Sequence, residues 1–287
     1  MIPRDTRSKS SRRFILLVVL LCGACAPSSR RNGDTGASAP PDQTFRDARC
    51  ANIVGYSGDA MEPFLTRDGR YLLFNSSNAP GQNTELHYAR VRDELTFEYG
   101  GPLRGANSPV LDGVPTLTTD GELFFVSVRS YETTTSTVYR GRFVNGTVDD
   151  VALVDGLPRE RGIVIFDVEV SADGNALYYA RGAFRGGPVP ESADLQVAVR
   201  NGTSFTLSSA RTAALAAVNT PGALEYAAAL SPDERELFFT RLVGTQPTIY
   251  RATRASKDAA FGTPAPLGAI TGFVDSRTPS ADGQRVY

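Results

Sequence analysis

A fivefold internal repeat constrains this 287-residue chain more tightly than any other feature. Its copies are Pro63-Phe-Leu-Thr-Arg-Asp68-Gly-Arg-Tyr-Leu-Leu-Phe74, Pro115-Thr-Leu-Thr-Thr-Asp120-Gly-Glu-Leu-Phe-Phe125, Val168-Glu-Val-Ser-Ala-Asp173-Gly-Asn-Ala-Leu-Tyr-Tyr179, Ala228-Ala-Leu-Ser-Pro-Asp233-Glu-Arg-Glu-Leu-Phe-Phe239 and Arg277-Thr-Pro-Ser-Ala-Asp282-Gly-Gln-Arg-Val-Tyr287. Successive aspartates stand 52, 53, 60 and 49 residues apart, and Ser or Thr precedes each by two positions. A module of about 50 residues that recurs in this way buries its apolar surface against its neighbours rather than alone.

Each part of the repeat has a local reason. Asp-Gly between alternating apolar segments is a tight-turn signal, because Gly accepts positive φ and the Ser/Thr and Asp side chains can bond the turn backbone. Asp68, Asp120, Asp173, Asp233 and Asp282 are therefore structural turn residues. Glu234 replaces Gly in the fourth copy, so that turn is expected to differ or to be strained. After the turn, Leu72/Phe74, Leu123/Phe125, Leu177/Tyr179 and Leu237/Phe239 alternate with period two, which predicts a strand with one buried face.

A third strand recurs as Glu85-Leu-His-Tyr-Ala89, Thr137-Val-Tyr-Arg-Gly141, Asp194-Leu-Gln-Val-Ala198 and Thr248-Ile-Tyr-Arg-Ala252, each closed by a small residue. Asn145-Gly146 and Asn201-Gly202 then read as type I′ hairpins into a fourth strand. Four antiparallel strands per unit predict an all-β chain, a β-propeller of four-stranded blades with five repeat starts and hence five or six blades. The Ser/Thr-x-Asp-Gly turn, the Leu-aromatic strand and the Asp-Leu-Tyr-like strand together resemble the TolB-like, WD-repeat-like propeller repeats of bacterial envelope proteins, over residues 59 to 287. That resemblance implies a non-enzymatic interaction scaffold with an envelope protein as partner. The last copy stops after its second strand, so either the chain is truncated or strands from residues 46 to 58 complete the ring.

The N-terminus reads as an export signal. Arg4, Arg7, Lys9, Arg12 and Arg13 precede the apolar run from Phe14, and the eleven residues to Ala24 are too few for a spanning helix, which needs about 20. Gly23-Ala24-Cys25 resembles a bacterial lipobox, making Cys25 the expected lipid-attachment residue, and Ser11-Arg12-Arg13-Phe14-Ile15-Leu16 looks like a twin-arginine motif. A plain secretory peptide is the alternative. The expected organisation is a signal peptide over 1–24, a lipidated, Ser/Gly/Pro-rich tether over 25–45, and the propeller over 46–287. The expected location is the cell envelope, through a lipid anchor in the outer membrane. Cys50 then lacks a cysteine partner and is expected to be a small buried residue.

Charge and composition close off other classes. Processing removes five basic and one acidic residue, leaving 25 against 30 and a net charge of −5, which gives no electrostatic case for nucleic acid. Gly55-Tyr-Ser-Gly-Asp59 misses the G-x-S-x-G elbow by one position. Adjacent Asp-Gly and the lack of Trp argue against a sialidase-type propeller, and zinc-type Cys/His spacings are missing. No cofactor, metal or catalytic residue is therefore expected. The only histidine, His87, occupies a third-strand position held by Tyr139, Gln196 and Tyr250 in the sister copies, as scaffold. One constellation remains: Glu62, Asp112, Asp167, Glu225 and Asp275 precede the turn aspartates by six to eight residues. Radial repetition could gather them into an acidic ring at the channel mouth, able to hold a cation or a basic segment. Pairing with nearby arginines is the competing expectation. A glycan-binding or glycoside-processing propeller, with two carboxylates flanking a sugar, is the alternative function.

Overall fold

The computed structural model describes residues 40–42, 44–45, 47–77, 83–185, 189–268, 278–280 and 282–287. The signal segment and Cys25 lie outside these residues. A short strand β1 (Asn52–Val54) precedes four antiparallel units: β2 (Met61–Leu65) to β5 (Thr96–Pro102) through β3 (Tyr71–Asn75) and β4 (Leu86–Val91); β6 (Asp112–Leu117), β7 (Glu122–Ser127), β8 (Val138–Val144) and β9 (Thr147–Leu153); β10 (Ile163–Val170), β11 (Ala176–Ala183), β12 (Ser192–Asn201) and β13 (Ser204–Leu207); and β14 (Leu224–Leu230), β15 (Glu236–Val243), β16 (Gln246–Thr253) and β17 (Ala265–Pro266). Strands within each unit pair in sequence order, and a single parallel bridge, Ala193 to Leu224, joins the third unit to the fourth. Among the described residues the helices are two short turns, α1 (Tyr131–Thr134) and α2 (Ser209–Ala213). This is a β-propeller.

The turn motif performs as its chemistry demands. In all five copies the Ser or Thr hydroxyl donates to the turn aspartate and accepts from a backbone N–H beyond the turn, four residues on in the second copy and five in the others. In the third copy Ser171 Oγ lies 2.7 Å from Asp173 Oδ1 and 2.9 Å from Ala176 N. Glu234 does not change the turn: it takes φ 56°, the left-handed conformation that Gly69, Gly121, Gly174 and Gly283 occupy elsewhere. Of the two Asn-Gly sites, Asn145 and Gly146 are both at positive φ, as a type I′ turn requires. At the second site only Gly202 is at positive φ, and the loop shifts by one to Gly202-Thr203.

The second strand is buried on both faces, not one. Leu73, Phe74, Leu123, Phe124, Phe125, Tyr178, Tyr179, Phe238 and Phe239 are all nearly inaccessible. Each unit is packed between two neighbours, so alternate side chains enter different cores. Leu73 meets Leu123 and Phe125 between the first two units; Phe124 meets Leu177 and Tyr179 in the next layer; Tyr178 meets Leu237 and Phe239 in the third. Two more layers involve the chain ends. Phe238 packs with Phe45 and Val286, and Leu72 and Phe74 pack with Ile53 and Tyr287.

Those contacts reach into the stretch expected to be a tether. Asp42 bridges in parallel to Leu267 and accepts from Arg251 at 2.6 Å, and Phe45 meets Phe238 edge-on at 5.6 Å, so these two residues of the expected tether contact the fourth unit. Residues 278–287 form a hairpin through Thr278–Tyr287 and Ser280–Arg285 backbone bonds. β1 runs parallel to β5 on the outside of the first unit. Cys50, expected to be buried, is exposed, because it lies on the stretch between Phe45 and β1 that no core layer covers.

Candidate functional site

The inner strands begin with a repeated irregularity. Pairing slips between Met61/Phe64, Gly113/Thr116, Ile165/Asp167 and Tyr226/Ala229, and Glu62, Val114 and Ala227 sit there at φ 51 to 54°. Such bulges free a backbone N–H and re-aim a side chain. The freed groups are taken by the preceding unit: Val114 N–H donates to Asn75 Oδ1 at 3.1 Å, and Ala227 N–H donates to Asp167 Oδ2 at 3.1 Å. Asp167 thus joins the third unit to the fourth. Glu62 is buried in the equivalent place, and a Cβ added at Gly113 would stand 3.3 Å from its Oε2.

Asp112 and Glu225 stand two positions earlier on their strands and are fully buried. Both are bound by an arginine from the end of the second strand. Arg129 Nη2 lies 2.5 Å from Asp112 Oδ1 and its guanidinium lies over Tyr139 at 4.8 Å. Arg241 Nε lies 2.7 Å from Glu225 Oε1 and its guanidinium lies over Tyr250 at 4.6 Å. Each arginine also donates to a carbonyl of the connection leading into its own inner strand, Ala106 O or Val218 O. Burial raises the Glu225 pKa above the ordinary value even against the hydrogen bond from Arg241. Sequence reasoning passed over these arginines, yet they carry a signal: an acid eight before the turn aspartate and Arg eight or nine after it. In the third unit Arg181 keeps the second half of that spacing, but Ile165 replaces the acid, and Arg181 turns to Glu160 at 2.9 Å. Asp275, the last member of the expected ring, lies outside the described residues.

Another buried carboxylate, Glu169, stands four residues before Asp173. It accepts from Thr116 Oγ1 of the second unit at 2.7 Å and Leu230 N–H of the fourth at 3.3 Å, and it pairs with Arg67 of the first at 3.4 Å. Arg67 also donates to Val170 O at 2.5 Å. Residues of four units therefore meet at one buried carboxylate, which is possible only where the inner strands converge. Burial raises the Glu169 pKa, opposed by the Arg67 charge and the Thr116 hydrogen bond.

His87 is packed rather than presented. Its ring stacks on Phe74 at 5.5 Å, Nδ1 lies 2.9 Å from Tyr99 Oη, and burial lowers its pKa, so the imidazole is neutral at pH 7. Among the described residues no cluster of three or more His, Cys, Asp or Glu side chains is placed to hold a metal ion. A cavity of about 660 Å³ opens at the turn end of the fourth unit, lined by Asp233, Arg235, Glu236, Arg251 and Arg254. Its charges are largely satisfied: Arg251 pairs with Glu236 at 2.5 Å, and Arg254 with Glu234 at 3.6 Å.

No protein-family model and no curated protein matches the sequence. Solved structures do resemble it. TolB from Acinetobacter baumannii is 18% identical, over 74% of this chain and 44% of that one, with a TM-score of 0.45. Zg3597, a family 117 glycoside hydrolase produced by the marine bacterium Zobellia galactanivorans, is 12% identical, over 84% and 81%, with a TM-score of 0.51. XC5397 from Xanthomonas campestris, a gluconolactonase, is 15% identical, over 78% and 68%, with a TM-score of 0.45. The chain spans less than half the length of that TolB. At these identities the likeness is one of fold alone.

Proposed function

We propose that the chain is a non-enzymatic envelope lipoprotein, lipidated at Cys25, whose propeller binds an envelope protein. One observation carries the reading: carboxylates at the start and along the axis of the inner strands are engaged in holding units together. Asp112 and Glu225 are bound by arginines, Asp167 accepts a backbone N–H of the next unit, and Glu169 ties four units. Groups committed in this way serve a rigid platform rather than a reacting substrate. The expected lipid anchor would hold that platform at a membrane. Among the described residues no helix is long and apolar enough to cross one. The test is metabolic labelling with a radioactive fatty acid, then capture from envelope extract using the lipidated chain as bait. Label lost in Cys25→Ser, with a partner retained on wild type, is expected; label unchanged in Cys25→Ser would refute the anchor.

A glycan-binding or glycoside-processing propeller is the second reading, supported by the likeness of fold to Zg3597, a family 117 glycoside hydrolase; Glu62 and Asp167, six residues before their turn aspartates, are the carboxylates it would test. It predicts that Glu62→Gln with Asp167→Asn abolishes binding on a glycan array or hydrolysis of an oligosaccharide panel. Binding or hydrolysis that is undetectable in wild type removes it.

A further inference from the structure

Two hairpins carry the same tripeptide, Asn145-Gly146-Thr147 and Asn201-Gly202-Thr203, and hold it differently. An Asn-Gly pair has a chemistry of its own, because the glycine nitrogen, uncrowded by a Cβ, can attack Cγ of the asparagine before it. In a folded chain that attack needs a carboxamide free to turn, a glycine open to solvent and an N–H that readily loses its proton. Identical sequence leaves the surroundings to decide between the two sites.

At the first hairpin the carboxamide and the glycine are both held. Asn145 Oδ1 accepts from Tyr71 Oη of the first unit at 2.8 Å, which ties the side chain across the boundary between units. Gly146 is buried: a Cβ added there would stand 2.4 Å from the Tyr88 ring, and its carbonyl accepts from Arg104 N–H at 3.1 Å. At the second hairpin both are open. Asn201, Gly202 and Thr203 are exposed, and a Cβ added at Gly202 would meet nothing within 4 Å. Among the described residues no hydrogen bond holds the Asn201 carboxamide.

The third requirement is also met at the second hairpin. Ser204 Oγ donates to the Asn201 carbonyl oxygen at 3.0 Å. That oxygen shares a conjugated peptide group with the Gly202 nitrogen, so the hydroxyl stabilises the amide anion that must form before attack.

From this we infer that Asn201 is a site of spontaneous covalent modification, with Ser204 as the residue that activates it. Gly202 N gives its proton to solvent and its lone pair forms a bond to Asn201 Cγ. The tetrahedral centre expels the carboxamide nitrogen, which takes a proton back from solvent and leaves as ammonia, closing a five-membered succinimide. Water then adds to one of the two ring carbonyls and breaks that carbon's bond to the Gly202 nitrogen, which receives a proton. Cleavage at Cγ leaves aspartate, and cleavage at the main-chain carbon leaves isoaspartate. One water is consumed, one ammonia is released, and nothing is oxidised or reduced. Isoaspartate also lengthens the main chain between β12 and β13. The adjoining Arg200 pairs with Glu122 of the second unit and lies opposite Phe205, whose ring meets Phe124 edge-on at 5.7 Å. The new charge and longer backbone therefore fall where the third unit grips the second. The inference goes beyond the scaffold reading and does not depend on the anchor.

The purified 287-residue chain is held for days in mildly alkaline buffer, digested, and mapped by mass spectrometry with fragmentation that separates aspartate from isoaspartate. Both products are expected at residue 201, with conversion at 145 slower by about tenfold or more. Ser204→Ala should slow conversion at 201 by about tenfold, the effect of losing one hydrogen bond to the reacting peptide group, and Ser204→Thr should restore it. Persistent slow conversion at 145 in the same sample shows that the Ser204 variants are folded. Tyr71→Phe should speed conversion at 145 alone. In concentrated urea the two tripeptides should convert at similar rates. Asn201 left intact, equal rates at both sites in the folded chain, a difference that survives in urea, or an unchanged rate at 201 in Ser204→Ala would each overturn the inference.

Discussion

The two ends of the inner strand are built on different principles. At the turn end, five copies repeat one local device: a hydroxyl, an aspartate and a positive-φ residue within six positions. At the other end and along the axis the units diverge, and only the second and fourth share a device, the Asp112–Arg129 and Glu225–Arg241 pairs. Glu62, Val114, Asp167 and Ala227 fill one equivalent position, and the partners of the acids come from up to 102 residues away. Local chemistry can be copied with the repeat, whereas contacts across the axis depend on which units face one another and therefore diverge. Titration marks the same divide. All five turn aspartates have pKa values below the ordinary one, while Glu169 and Glu225 lie above it because of burial.

The sharpest way to break the comparison is at the axis. Glu169→Ala strands the Arg67 guanidinium, whose side chain is only 10% exposed, and leaves Thr116 and Leu230 N–H without their acceptor. A loss of about 3 to 5 kcal/mol in urea unfolding is expected. Pairing Arg67→Met with Glu169→Met should restore most of it, since an apolar pair needs no compensation. If the single change costs no more than a turn mutation, the Glu169 contacts are not what hold the units together.

Arg241→Met should cost less, about 2 to 3 kcal/mol, because the arginine is nearer the surface than Glu169 even though Glu225 is fully buried. Its sign with pH distinguishes it from the turns. The folded-state pKa of Glu225 is raised, so the group favours folding below its unfolded pKa, and that contribution is lost as pH rises through the folded value. Glu225→Gln should therefore gain on wild type as pH increases above about 4.5, the region where the unfolded group ionises.

At the turns the sign reverses. Asp233 is held below its ordinary pKa chiefly by the Ser231 hydroxyl, against a smaller effect of burial. A depressed carboxylate contributes stability above its unfolded pKa of about 3.9 and loses it as pH falls through the folded value. Ser231→Ala should cost about 1 kcal/mol at pH 7 and flatten the acid limb of the stability curve below pH 4. An unchanged acid limb would show that the hydroxyl does not set the aspartate's proton affinity.

This division also explains what could be read in the sequence. The turns, the buried second strands and the small residue closing each third strand follow from spacing and side-chain type within a dozen residues. The second burial face of Leu73, Phe124, Tyr178 and Phe238 could not be read from period-two alternation, because it depends on neighbouring units covering both faces. The arginine partners of Asp112 and Glu225 are separated from them by 17 and 16 residues and were visible only as a paired spacing. Arg67 with Glu169, and Phe45 with Phe238, join positions whose proximity exists only once the units are assembled. Asp42 read as tether for the same reason: its partner Arg251 is 209 residues away.

Glu234 is where the two principles meet, and it gives the smallest expected effect. Returning the consensus with Glu234→Gly removes a side chain from φ 56°, which relieves about 1 kcal/mol of left-handed strain. The same change deletes the carboxylate 3.6 Å from the buried Arg254 guanidinium. Arg254 would keep three contacts: the backbone carbonyl of residue 234 at 2.7 Å, Tyr178 Oη at 3.3 Å and the Phe261 ring at 4.4 Å. Strain relieved and pairing lost should nearly cancel, leaving unfolding free energy within about 1 kcal/mol of wild type. Glu234→Ala separates the two effects, since it loses the carboxylate and keeps the strain, and it should be the less stable of the pair. If Glu234→Gly instead proves as costly as Glu234→Ala, the left-handed turn carries no strain, and the glutamate is held there by Arg254 alone.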